Sequence, residues 1–166
     1  MRIPAPIHGK LQSFPLLTRV PIQTGDIDLS GCLSSVSLLR HFESARLAYF
    51  ESLVGPRLSP ATHSSFIRGK GVGRILGRAS VAVVVGLELN HLHNHDSLWL
   101  AAKTESLARN KLIQNYVAVS EMSGQVVAEG SALIATYDHV AKQRADVPAE
   151  VVDAIKYIEG DTLKIH

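Results

Sequence analysis

The stretch that decides the fold is the polar turn Asp26-Ile27-Asp28-Leu29-Ser30-Gly31 and the amphipathic segment that follows it, from about Ser35 to Leu53. Apolar side chains recur along this segment at the spacing of one helix face, at Leu38, Phe42, Ala45 and Tyr49. This spacing predicts a long helix with one side in the core. We expect Ser34 or Ser35 to cap the start of the helix and Gly55-Pro56 to end it.

The rest of the chain is rich in β-strand patterns. Residues 16–23 predict a first strand, and Pro21 indicates an edge or an irregular position for it. Four further segments, 77–90, 97–109, 112–121 and 125–138, predict strands. Arg109-Asn110-Lys111 and Ser123-Gly124 are short enough to be hairpin turns, which makes the predicted sheet antiparallel. A short helix is expected from Pro148 to about Ile158. One long helix against one antiparallel sheet predicts an α+β fold.

Individual positions sharpen this expectation. Alternation of Leu98 and Leu100 with Trp99 and Lys103 predicts a strand buried on one face. Small residues on one face of the last long strand, from Ala128 through Gly130 to Ala132, predict that the helix approaches the sheet closely there. Two early prolines predict an extended arm over residues 1–15, and residues 57–73 are predicted to form a loop rich in Ser, Gly and Pro.

Length, composition and net charge limit the classes of protein to which this chain can belong. A length of 166 residues predicts a single domain over 1–166, with a core at about 16–140 and a C-terminal helix at 147–160. Apolar residues make up 46% and charged residues 19%, which excludes overall disorder. A net charge of +2, with Lys and Arg scattered, argues against nucleic acid.

No apolar stretch approaches the roughly 20 residues of a membrane span, and no secretory signal is expected. The single cysteine, Cys32, excludes an intrachain disulfide and a four-thiolate zinc site. We therefore expect a reducing compartment, the cytoplasm, with the mitochondrial matrix as the alternative.

Four features together carry a resemblance to a known family. They are the Asp-x-Asp-x-x-Gly turn at residues 26–31, Phe42-Glu43-Ser44-Ala45-Arg46 on the helix, His95-Asp96 between two strands, and Ala128-Glu129-Gly130 in the last strand. Over about 16–140 the chain resembles the hotdog-fold acyl-CoA thioesterases of the 4-hydroxybenzoyl-CoA thioesterase type.

The resemblance implies a long central helix wrapped by a five- to six-stranded antiparallel sheet, in a homodimer or a dimer of dimers. It implies an acyl-CoA or acyl-carrier substrate, hydrolysed without a metal or a further cofactor beyond the coenzyme A of the substrate. Asp28 corresponds to the family's catalytic carboxylate, acting as nucleophile or general base. The backbone N–H groups at the helix start would stabilise the oxyanion. They belong to Leu33, Ser34, Ser35 and Val36.

Further residues are candidates for contacts with substrate or metal. Arg74, Arg109 and Lys111 are predicted, on charge alone, to contact the coenzyme A phosphates, and the 57–73 loop is a candidate lid. His91, His93 and His95 share the alternation of a metal-binding strand, but a polar loop without a metal is the preferred interpretation. Gly69-x-Gly71-x-Gly73 leads into a strand and so favours a loop over a nucleotide fingerprint. Glu43 and Arg46 are expected to form a structural i,i+3 ion pair.

Two rival functions share the fold. The family commonly continues its turn as Gly-His-Val-Asn-Asn, whereas this chain reads Gly31-Cys32-Leu33-Ser34-Ser35. That departure favours the alternative of a non-catalytic hotdog subunit that binds an acyl thioester or serves assembly. A hotdog dehydratase would need a histidine beside a carboxylate, and His41 is the nearby candidate; it ranks last.

Overall fold

The structure is a computed structural model and describes residues 5–29, 31–84 and 96–166. Its helices are α1 (Ala5–Leu11), α2 (Ser35–Tyr49), α3 (Pro60–Thr62) and α4 (Ala149–Glu159). Its strands are β1 (Leu16–Pro21), β2 (Val72–Val83), β3 (Ser97–Ala108), β4 (Lys111–Ser120), β5 (Val126–Asp138), β6 (Gln143–Arg144) and β7 (Lys164–Ile165). A single sheet wraps the long helix α2, which confirms the predicted α+β class and the hotdog arrangement.

The sheet has the strand order β1-β3-β4-β5-β2, with β6 paired to β5 and β7 to β3. The five long strands are antiparallel, and short turns join β3 to β4 and β4 to β5, as predicted. β1 is an edge strand, as Pro21 indicated. β2 begins at Val72, earlier than predicted, while residues 85–90 of the predicted segment lie outside the described residues. Seven strands stand where five to six were expected, because two-residue strands carry no periodic pattern.

Helix α2 buries the predicted face against the sheet. Leu38, Phe42, Ala45 and Tyr49 are each no more than 3% exposed. A Cβ atom on Gly130 of β5 would lie 2.7 Å from the Phe42 ring, so no larger residue fits without a shift. The prediction that small residues on β5 admit the helix is confirmed.

The N-terminal segment is a helix, not the predicted extended arm. Proline is compatible with the first turn of a helix, where its missing N–H has no partner to lose. Ile7 and Leu11, one turn apart, are buried on the outer face of the sheet. They pack with Trp99 and Val119, so the first half of β3 is buried on both faces. The prediction of a strand buried on one face is wrong there, because α1 covers the other face.

The predicted end of α2 is also wrong. Gly55 has φ −49° and ψ −48°, and the helix continues through a π-turn (Phe50–Val54) and a 3₁₀ turn (Gly55–Arg57). Pro56 fits because it lies in the first turn of the 3₁₀ segment. The segment predicted as a loop is partly helical, with α3 continued by a π-turn (His63–Ile67) whose Phe66 and Ile67 enter the core.

Helix α4 matches the prediction closely. Pro148 precedes its first residue, and Gly160, with φ +56°, follows its last. Val151, Ala154 and Ile155 join the core that α2 forms with the sheet. Among the described residues, none of the helices is both long enough and apolar enough to cross a bilayer.

Candidate active site

A short antiparallel bridge closes the turn that carries Asp28. Ile27 pairs with Leu33, Asp28 N–H donates to the Cys32 carbonyl (2.8 Å), and Ser34 N–H donates to the Asp26 carbonyl (2.7 Å). Gly31 has φ +76°, a conformation that strongly favours glycine. The turn is therefore shaped by local backbone bonds that deliver Asp28 just before the start of α2.

The Asp28 carboxylate lies on the exposed side of this turn. Its Oδ1 accepts a hydrogen bond from Cys32 N–H at 3.0 Å, which orients the carboxylate relative to the turn. Because Asp28 is exposed, its own turn does not supply the low-dielectric surroundings that strengthen catalytic electrostatics.

The four predicted oxyanion donors differ in their hydrogen bonds. Ser34 N–H donates to Asp26, and Val36 N–H donates to the Ser34 hydroxyl (3.3 Å), which is the predicted cap. Within the described part of the chain, the N–H groups of Leu33 and Ser35 make no hydrogen bond. The N–H groups of Leu33 and Ser35, at the helix start, thus have no acceptor among the described residues.

Asp26 secures the turn to the flank of α2. Its Oδ2 accepts from Gln23 N–H (3.0 Å) and lies 3.4 Å from His41 Nε2. Burial by itself raises the pKa of Asp26, but the bond from Gln23, the His41 ring and the Ser37 hydroxyl bring it below its ordinary value. His41, the residue a dehydratase would need, therefore pairs with the turn-forming carboxylate.

The buried residue Asp96 holds the part of the chain that leads into the turn. Asp96 is 2% exposed; it accepts from the N–H groups of Ser97 and Met122 and from the Ser120 hydroxyl. Its carbonyl accepts from Ile22 N–H at 3.0 Å, directly before the turn. The chain entering the turn is thereby tied to the start of β3.

A cleft of about 230 Å³ runs along α2, against strands β2, β4 and β5. Its floor is the stacked pair Phe42 and Tyr116, with ring centroids 5.3 Å apart. Val36 lies at the end nearest the turn and Arg46 ten residues further along, which is about 15 Å at 1.5 Å per residue. The remaining lining residues are Leu39, Arg40, Glu43, Leu76, Ala79, Ser80, Ser131 and Ala132. Sequence reasoning missed most of them, and only the apolar side chains at helical spacing could have pointed to this face.

The cleft floor connects to a buried chain of polar groups. Tyr116 donates to Gln114 (3.0 Å), and Gln114 donates to the Thr104 hydroxyl (3.3 Å). Glu159 Oε1 accepts from both Thr104 N–H and Tyr49 Oη, each at 2.6 Å. Burial raises the pKa of Tyr116 and of Glu159. No sequence pattern indicated this chain of polar groups, because its members come from α2, β3, β4 and α4.

The predicted pair Glu43–Arg46 forms at 2.7 Å and lines the cleft. Arg46 also borders a second space of about 80 Å³, shared with Leu47, Arg74, Leu76 and Ile134. The Arg74 guanidinium stacks on Phe50 (4.2 Å) and Phe66 (5.5 Å). Burial, helped by the charge of Arg46, lowers the pKa of Arg74 to about 10.

The three predicted phosphate contacts do not come together. Arg74 lies under the C-terminal half of α2, far along the cleft from Asp28. Lys111 is exposed and lies across from Ala135, one residue before the buried Leu112, on the outer face of the sheet. Arg109 lies at the β3–β4 turn and pairs with Asp146 at 2.9 Å.

Three further sequence candidates have different outcomes. The 57–73 segment, a candidate lid, supplies none of the cleft-lining residues and instead packs Phe66 and Ile67 into the core. Gly71 turns the chain into β2, where a Cβ atom would lie 2.6 Å from Ser65 Oγ. The metal candidates His91, His93 and His95 lie outside the described residues.

Solved structures with the same fold include several thioesterases. A thioesterase from Thermus thermophilus, solved with coenzyme A and zinc, is 22% identical with TM-score 0.68 over 90% of this chain and 97% of its own. A 1,4-dihydroxy-2-naphthoyl-CoA thioesterase from Synechocystis is 16% identical with TM-score 0.66, covering 84% and 93%. A thioesterase superfamily protein from Jannaschia sp. CCS1 is 13% identical with TM-score 0.73, covering 96% and 94%.

The sequence matches no protein-family model and no curated protein. At these identities the structural likeness establishes the hotdog fold, and the function has to be argued from the site.

Proposed function

We propose that this protein hydrolyses acyl thioesters of coenzyme A or of an acyl-carrier protein. The observation that carries the proposal is the convergence of three features at the start of α2. The Asp28 turn, the N–H groups of Leu33 and Ser35, and the Val36 end of an apolar cleft all lie there. Solved thioesterases with the same fold support the same reaction class.

Each feature has a part in the chemistry. The thioester carbonyl oxygen accepts from the helix-start N–H groups, which stabilise the negative charge of the tetrahedral intermediate. Asp28 either removes a proton from water as it adds to the carbonyl carbon or adds to that carbon itself. In both routes the C–S bond breaks. In the first, the departing sulfur takes up the proton that Asp28 removed from water; in the second, it leaves as a thiolate that water protonates, and water then hydrolyses the anhydride.

The acyl group lies along α2 in this proposal. Leu39, Leu76 and Ala79 supply apolar walls over a floor of Phe42 and Tyr116. Their removal from water on binding provides the favourable term for an acyl chain. The polar thioester remains at the open end beside the turn.

A second copy of the chain completes the site in this proposal. β2 ends the strand order, its outer edge is unpaired within the described residues, and Ile75 and Leu76 on it are 37% and 42% exposed. Val36 at the mouth of the cleft is 56% exposed. Long edge strands with apolar side chains favour pairing with another strand. A homodimer joined at β2, or a dimer of two such pairs, would cover these side chains and exclude water from Asp28.

The test is free-thiol release from short, long and aromatic acyl-CoAs by the wild type, Asp28→Asn and Asp26→Asn. We expect Asp28→Asn to lower kcat by about 100-fold or more, the usual size of a general-base contribution. Asp26→Asn is the matched control, since Asp26 pairs with Gln23 and His41. Enzyme without substrate serves as the blank for the Cys32 thiol.

Equal turnover by the wild type and Asp28→Asn would contradict the role of this carboxylate. Absence of turnover by the wild type on every thioester, with acyl-CoA binding retained, would instead support the non-catalytic binding subunit.

A further inference from the structure

The small space beside the far end of the cleft is lined by an arginine, Arg74, with little compensating charge. Arg74 is partly buried against the rings of Phe50 and Phe66, and the hydrogen bond that it donates to the Ile67 carbonyl is long (3.4 Å). Among the residues that the structure describes, no carboxylate lies within ion-pair distance of Arg74. A guanidinium offers five donors, so most of its binding capacity is unused.

A second arginine increases the local positive charge. Arg46 borders the same space, and its side chain is 12% exposed. The nearby carboxylates already have partners, since Glu43 pairs with Arg46 and Glu51 with Arg68 (3.6 Å). Three arginines therefore face two glutamates, and the excess charge lies at Arg74.

The arginine pair is continuous with the acyl cleft. Arg46 and Leu76 line both the main cleft and the smaller space of about 80 Å³ beside Arg74. We propose that Arg46 and Arg74 bind a carboxylate at the far end of the acyl group, so that the preferred substrates are thioesters of dicarboxylic acids. This inference rests on the proposed thioester hydrolysis and names its substrate class.

Geometry favours the acyl carboxylate over a coenzyme A phosphate. The space lies about 15 Å along α2 from the Val36 end, on the inner face of the sheet, with apolar walls between. A planar carboxylate matches the fork of a guanidinium, whereas the room beside Arg74 is small. An acyl chain of intermediate length spans this path with its thioester at the helix start.

The experiment compares chain-matched thioesters that differ only at the end of the acyl group. Suberoyl-, sebacoyl- and dodecanedioyl-CoA are measured against octanoyl-, decanoyl- and dodecanoyl-CoA with the wild type, Arg74→Met and Arg74→Lys. We expect the wild type to prefer one dicarboxylic thioester, and Arg74→Met to lower that kcat/KM ratio by about tenfold or more, as for a hydrogen bond to a charged group. Arg74→Lys should retain part of the preference because it keeps the charge but not the fork.

Two controls separate the alternatives. Arg57→Met removes an exposed arginine that also stacks on an aromatic ring, Tyr157 at 4.5 Å, and should leave the ratio unchanged. The same acids as N-acetylcysteamine thioesters lack phosphates, so a ratio that still depends on Arg74 identifies the acyl carboxylate as its ligand. Suppose that Arg74→Met lowers kcat/KM equally for the monocarboxylic and dicarboxylic thioesters of coenzyme A and has no effect on the N-acetylcysteamine thioesters. That result would overturn the proposal in favour of a phosphate contact.

Binding of the free acids makes the test independent of catalysis. Calorimetric titration with octanoate and octanamide, which differ in the charged carboxylate, should show octanoate binding more tightly to the wild type, and this difference should disappear in Arg74→Met. If no thioester is hydrolysed but this difference holds, the anion site stands and the proposed activity fails. If thioesters are hydrolysed with no preference for the second carboxylate and octanoate binds no better than octanamide, the anion site is overturned and the activity stands.

Discussion

The turn around Asp28 and the polar chain that ends at Glu159 are built in opposite ways. Hydrogen bonds of the turn join near neighbours, such as Cys32 to Asp28, four residues apart. Those of the polar chain join residues 55 apart (Thr104 to Glu159) and 110 apart (Tyr49 to Glu159). The first region is exposed and shaped locally, while the second is buried and exists only once the whole chain is folded. We therefore expect changes in the turn to affect activity, and changes in the buried polar groups around Glu159 to affect stability.

The largest expected effect on stability is that of Glu159→Ala. This change leaves the Tyr49 hydroxyl and the Thr104 N–H buried without their acceptor, at about 1–3 kcal/mol each. We expect the free energy of unfolding to fall by about 2–5 kcal/mol, measured by urea denaturation. Glu159→Gln keeps an oxygen acceptor at the same place and should change it by less than about 1 kcal/mol.

Asp28→Asn serves as the comparison from the turn, and it should unfold within about 0.5 kcal/mol of the wild type, as exposed substitutions usually do. If Asp28→Asn and Glu159→Ala destabilise the protein equally, the contrast between the two regions is wrong.

Gly130→Ala should have the next largest effect. The added methyl group would lie 2.7 Å from the Phe42 ring and 2.9 Å from the Ser80 carbonyl, so α2 or β2 has to move. We expect a loss of about 1–3 kcal/mol, the usual range for overpacking, seen as a lower Tm.

Gly9→Ala is the matched control for Gly130→Ala. A Cβ atom on Gly9 meets nothing within 4 Å, and alanine in a helix interior gains about 0.5–1 kcal/mol over glycine. A lower Tm for Gly9→Ala than for Gly130→Ala would refute the close approach of α2 to β5.

The smallest expected effect is on the pH dependence of stability. It has opposite signs in the two regions. The pKa of Glu159 is raised by burial, so its contribution is full below the unfolded pKa and is lost as pH rises through the folded value. The pKa of Asp26 is lowered, so its contribution is present above the unfolded pKa and is lost as pH falls through the folded value.

Unfolding free energies measured from acid to neutral pH test both signs. The advantage of the wild type over Glu159→Gln should shrink as pH rises from about 4, and its advantage over Asp26→Asn should shrink as pH falls below about 4. The same direction of change for both variants would contradict the assignment.

Much of the fold could be predicted because its main patterns are local. The face of α2, the hairpins of β3 to β5 and the cap at Ser34 follow from spacing over a few residues. The α1 helix could not be predicted in the same way, since its fold depends on Ile7 and Leu11 meeting Trp99, a contact distant in sequence. The segment 60–67 was missed for the same reason, because Phe66 is a core residue only in the folded chain.

The candidate site also combines parts that near neighbours specify with parts that only the folded chain brings together. By itself the sequence determined the turn with Asp28, the helix it precedes and the small residues that let the helix approach β5, because each depends on near neighbours or on a simple repeat. Tertiary structure alone decided which helix-start N–H groups keep a free donor, which residues line the cleft, and that Arg46 and Arg74 share one space while Lys111 and Arg109 lie elsewhere. The physical reason is that charge and burial act through distance in space, and strands far apart in the chain set that distance only when the sheet closes around α2.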